Sequence, residues 1–182
     1  MKISQAAREH LTGNVADQVK EAEIKLGYSK GTMRLYYPLE SLAALLNAAP
    51  AALAEWLSQG DGLVDTSLGT LRLTAKAGRV ELTVPPEGVE YVHENVPEPP
   101  FLRALIEFFR DPHHASLEAL RQLFARFSPD SVCERMADGG DFQYVLYFPD
   151  GTVDPYYYCI TDEMGHLTYH RFTRADYLAL AE

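Results

Sequence analysis

Leu11, Val15, Val19, Ala22 and Leu26 recur every three or four residues. That spacing places them on one stripe of a helix expected over residues 4–26. Gly13-Asn14 interrupts it and allows a later start with Asn14 as N-cap; Gly27 supplies the stop. A short extended run, 33–37, ends at Pro38, and Pro38 and Pro50 each sit where a helix can open. The second helix carries Leu39, Leu42, Leu45 and Leu46, and the third carries Leu53, Trp56 and Leu57. Trp56 and Leu57 are expected to bury against the first stripe. Residues 70–76 and 79–84 then alternate apolar and polar positions around Ala77-Gly78, the pattern of a hairpin.

Pro85-Pro86 and the Pro-rich stretch 96–100 punctuate the middle of the chain. Between them GVEYVHEN reads as a short helix, with a strand as the alternative. Helical spacing returns at 101–110 and again after Ser116, which is a good N-cap. From there the pattern turns to β. Runs 131–137 and 142–148 flank Gly139-Gly140, and runs 156–162 and 166–172 flank Glu163-Met164-Gly165. Thr173 caps a last helix.

The order helix, strand, helix, helix, strand, strand is that of a winged helix. The expected fold class is therefore α+β: a winged-helix-like half over residues 1–95, then an α+β half over 96–182 with helices packed on a four-stranded antiparallel meander. The two halves either stand as separate domains or pack as one unit.

Charge changes what such a fold can do. The 182-residue chain has a net charge of −10. Residues 1–95 hold nine basic and twelve acidic side chains, and residues 96–182 hold seven and fourteen. Backbone binding of nucleic acid draws on Lys and Arg, and the presumed reading helix PAALAEWLSQ has neither. Nucleic acid is therefore not the expected partner. No run reaches the roughly 20 apolar residues that cross a bilayer, and MKISQAAREH lacks the apolar core of a secretory signal. Two cysteines outside any zinc or disulfide pattern fit reduced thiols in a cytoplasm. No cofactor is expected.

Candidate chemistry gathers in residues 141–177, which contain seven of the eleven tyrosines with Cys159, His166, His170 and Arg171. Tyrosine joins an apolar body to a hydroxyl, which suits a half-buried sheet. A two-residue turn at Met164-Gly165 would set Cys159 opposite His170; a three-residue turn would set it opposite Tyr169. Only the first pairs a thiol with a base, so Cys159 and His170 are weak catalytic candidates beside a buried structural cysteine. No metal is expected: His166 and His170 would stand about 13 Å apart on a strand. His113, His114 and Glu118 read as a solvated helix start. Asp141, Asp150 and Asp154 bracket sheet ends, and Asp150-Gly151 is first a turn signal. The expected ligand-binding surface is the exposed face of the last hairpin, led by Arg171, Tyr156, Tyr158 and Tyr169. Arg171 offers a planar fork to a carboxylate or phosphate. The competing arrangement is an Arg171 salt bridge to Asp162 or Asp176.

The strings KLGYSKGTMRLYYPLESL, PPEGVEYVHEN, DFQYVLYFPDGTVDPYYYC and YHRFTRADY, in this order, resemble a bacterial family found largely in gut Firmicutes, the domain of unknown function numbered 3877. The resemblance runs from about Leu26 to Tyr177. It implies an intracellular bacterial protein and carries no activity, cofactor or catalytic residue. The favoured function is a non-catalytic binding or interaction module with an unknown protein or small-molecule partner. A small cysteine- or carboxylate-dependent hydrolase centred on the C-terminal sheet is the alternative, and a winged-helix DNA-binding regulator the second.

Overall fold

A computed structural model describes residues 1–60, 62–111, 115–137 and 140–181. The expected turn residue Gly139 and the pair His113 and His114 lie outside the described residues. The chain divides into two compact units, Met1–Pro97 and Glu98–Glu182.

In the first unit, α1 (Gln5–Leu26) starts earlier than Gly13-Asn14 suggests. Ser4 Oγ accepts the amide hydrogen bond of Ala7 at 3.2 Å and caps the helix, satisfying one of its orphan donors. Its buried stripe is Ala7, Leu11, Val15, Val19 and Ile24, whereas Leu26 is 87% exposed. β1 (Met33–Pro38), α2 (Leu39–Leu45) and α3 (Pro50–Ser58) follow. Next come β2 (Gly62–Thr66), β3 (Gly69–Lys76), β4 (Arg79–Val84) and α4 (Pro86–Asn95), which opens on Pro86 as a helix and not a strand.

The sheet order is β1-β4-β3-β2, antiparallel throughout. β2 is an extra strand that the alternation pattern does not reveal. Of its residues only Gly62 and Val64 face inward and are buried, so it shows no apolar run. Gly62 is there because the Trp56 ring lies where a side chain would be; an added Cβ would fall 2.4 Å from Trp56. Trp56 is accordingly half-buried over β2, a change from its expected place against α1, while Leu57 is buried. One sheet face packs Leu71, Leu73, Val80 and Leu82 against Leu11, Val15, Leu42 and Leu53.

The second unit comprises α5 (Pro100–Arg110), α6 (Leu117–Phe127), β5 (Val132–Arg135), β6 (Tyr144–Tyr147), β7 (Tyr157–Glu163), β8 (His166–Phe172) and α7 (Arg174–Ala181). Its strands form an antiparallel meander, β5-β6-β7-β8. α5 and α6 cover one face through Phe101, Leu105, Leu120 and Phe124, packed with Leu146, Phe148, Tyr158 and Ile160. With seven helices and two four-stranded antiparallel sheets among the described residues, the class is α+β.

Candidate functional site

Turn chemistry decides the register of the β7–β8 hairpin. Met164 and Gly165 take φ of +55° and +85°, both left-handed, as a two-residue hairpin turn matched to strand twist requires. Glu163 therefore pairs with His166, and Cys159 pairs with His170. This is the register that places thiol and imidazole opposite each other.

The pairing does not make a nucleophile. Cys159 is fully buried, and burial pushes its thiol up to about 11. The His170 ring packs instead on Phe142, at 5.3 Å between centroids. A low-pKa thiolate needs a cation or helix N-terminus beside it, and a fully buried strand cysteine has the opposite surroundings. A rise of this size lowers the thiolate fraction at neutral pH by roughly a hundredfold. Under iodoacetamide, intact-mass spectrometry should show half-buried Cys133 modified well before Cys159. Fast labelling of Cys159 that disappears in His170→Ala would mark an activated thiol instead.

The tyrosine–arginine set lies on the other side of the sheet from where it is expected. Side chains alternate along a strand, so Tyr158, Ile160, Tyr169 and Arg171 share one face and Tyr157, Cys159, His170 and Phe172 the other. The first face is the one under α5 and α6. Tyr158 is fully buried and Tyr156, just before β7, is 6% exposed. Tyr158 meets Phe101, Phe124 and Tyr169, and half-buried Tyr169 meets Phe109 at 4.9 Å. The Arg171 guanidinium sits 3.6 Å from the Tyr156 ring centroid, a cation–π contact inside the fold. The reason is collective: Leu146, Phe148, Ile160 and Leu167 share this face, and their combined apolar area outweighs the hydroxyls carried with them.

The opposite face presents a different set. Tyr147, Tyr157 and Tyr177 stack in series, with centroids 4.4 and 4.7 Å apart and planes within 19° and 16°. Tyr177 comes from α7, so this helix covers part of the second face, which the expected one-sided covering omits. Glu134 accepts a hydrogen bond from the Tyr147 hydroxyl at 3.3 Å. Beside the stack lies a cleft of about 350 Å³. Val145, Phe142 and Tyr177 give it an apolar floor and wall, and Glu134, Arg135 and Asp141 line its rim. Of these, sequence alone singles out only Asp141, as a sheet-end carboxylate. The signal for the rest is present in the shared face of Tyr157 and Cys159, but it stays mute until the covered face is known.

Asp150 and Asp154 have local duties. Asp150 accepts from the amide and hydroxyl of Thr152, bonds that hold its carboxyl below the usual range. Buried Asp154 accepts from the Tyr156 amide at 3.0 Å. Among the described residues no group of three or more His, Cys, Asp or Glu converges as a metal site would require. Nor is any described helix long and apolar enough to cross a membrane. α3 carries no Lys or Arg.

A family model described as "Domain of unknown function, E. rectale Gene description (DUF3877)" matches residues 8–181. Neither the curated proteins nor the solved structures compared with the chain include a match.

Proposed function

The chain belongs to the DUF3877 family of unknown function, and from the geometry of its second unit we propose that it is a non-catalytic binding module. Its ligand is a small amphipathic molecule with a flat apolar body and a polar end. The supporting observation is the cleft beside α7, whose apolar floor and charged rim lie together in about 350 Å³. Ligand pockets run from about 300 to 1,000 Å³ and combine apolar lining with a few polar groups in this way. A flat ring extends the Tyr147–Tyr157–Tyr177 stack, while Arg135 or the carboxylates of Glu134 and Asp141 fix its polar end. Binding is favoured over hydrolysis because Cys159, the cysteine candidate for a nucleophile, is fully buried and does not line the cleft. Both cysteines are free, and the proposal places the protein in the cytoplasm, where thiols stay reduced.

The test is two-dimensional NMR of ¹⁵N-labelled protein against a panel of small aromatic acids and amines. Binders should shift the amides of Phe142, Val145 and Tyr177 together. Phe142→Ala should weaken them about tenfold, equivalent to ~1.4 kcal/mol. Shifts confined to other surfaces, or turnover of a panel member, would overturn the proposal.

A further inference from the structure

The first unit contains a second cleft, and two oddities of α1 meet in it. Gln5, Arg8, Glu9, Thr12 and Gly13 are spaced as one helical patch, flanking the buried stripe of Ala7, Leu11 and Val15. This patch faces Asp65, Thr66 and Ser67 of β2 and its turn across about 670 Å³.

The first oddity is Arg8. Its Nε is buried and has no hydrogen-bond partner. Each carboxylate of the same cleft is engaged with another group: Glu9 Oε1 accepts from Gln5 Nε2 at 2.8 Å, and Asp65 Oδ1 from the Thr70 hydroxyl at 2.7 Å. Among the described residues no ion pair to Arg8 forms, in a chain of net charge −10. Burial puts that Nε out of a ligand's reach, so what Arg8 offers the cleft it lines is the terminal nitrogens of its guanidinium.

The second oddity is Gly13, mid-helix in α1, where glycine weakens a helix relative to alanine. No packing within the protein requires it, since an added Cβ meets no atom within 4 Å. What its missing side chain provides is open space in the cleft wall.

We propose that this cleft binds a small zwitterion of the α-amino-acid class. The ligand carboxylate lies in the Arg8 fork, the ammonium faces Glu9 and Asp65, and the side chain passes over Gly13. Charge selects the class. Arg8 alone suits a carboxylate or phosphate bidentately, but a phosphate would also face the two carboxylates. A zwitterion pairs with both signs.

The experiment titrates the ¹⁵N-labelled full chain with L-alanine and L-glutamine, and separately with propionate, propylamine and inorganic phosphate. Propionate and propylamine each lack one of the two charges. The amino acids should shift the amides at Arg8, Gly13 and Ser67, with the single-charge probes about tenfold weaker or more. Arg8→Gln should weaken the amino acids about tenfold, and Gly13→Leu should abolish their binding. Gly13→Ala, which fits the helix, should raise Tm by several degrees. No shift with either amino acid at about 20 mM, well above a millimolar dissociation constant, overturns the proposal. Tighter binding of phosphate or propionate, undiminished binding by Arg8→Gln, or a lower Tm in Gly13→Ala does so as well.

Discussion

Phe101→Ala should cost the second unit about 3–5 kcal/mol, the range for a buried phenylalanine reduced to alanine. Phe101 is 1% exposed at the start of α5. Its ring meets Phe124, Phe127, Phe148 and Tyr158 at centroid distances of 4.7, 5.2, 4.8 and 5.6 Å, all near edge-to-face. It thereby joins α6 and two strand regions to α5, so its removal leaves a cavity bounded by elements that cannot all collapse inward. Urea unfolding followed through the near-ultraviolet tyrosine signal should show the midpoint moving down by a large fraction of its value. A loss below about 1 kcal/mol would mean that the site repacks, against the close packing of the Phe101 cluster.

Gly88→Ala should destabilise the first unit by about 1–3 kcal/mol through overpacking. Gly88 lies in the first turn of α4, and its backbone is helical, so conformational strain is not the cause. An added Cβ would fall 2.3 Å from the carbonyl oxygen of Leu68 and 3.0 Å from Val84 Cγ1. Neither a backbone oxygen nor a buried valine can yield cheaply, so α4 must lift off the β2–β3 turn. Trp56, the one tryptophan of the chain, lies in the same unit and reports the unfolding. Gly13→Ala makes the internal control: the same chemical change in another helix should stabilise by about 1 kcal/mol, because nothing crowds it. Equal effects at the two glycines would contradict the close approach of α4.

The two predictions depend on information of different kinds. That residue 13 lies on helical spacing follows from Leu11, Val15 and Val19, while the Ser4 cap decides against a start at Asn14. That residue 88 touches a turn twenty positions earlier follows only from the fold. Much of the α+β class was legible in the same way. Prolines at the starts of α2, α3 and α4, Ser116 before α6 and the alternation in β3 and β4 are local signals, set by backbone sterics and side-chain period. β2 was illegible because a glycine under a tryptophan ring leaves no apolar partner for Val64 to alternate with.

Sequence by itself determined most of the elements, β2 excepted, and the two-residue periodicity that divides the β7–β8 residues into Tyr158 with Arg171 and Cys159 with His170, once the turn length is known. Tertiary structure decided the turn length and which of those sets goes under the helices. The physical reason is that burial is a property of a whole sheet face. Tyr156 and Tyr158 with Arg171 look like a binding surface when one hairpin is considered, but Leu146 and Phe148 on β6 and its end and Leu167 on β8 outvote their polar atoms once four strands are in register. The cleft beside α7 arises on the face left over, from residues scattered between Glu134 and Leu180, which only the meander and the returning helix bring together.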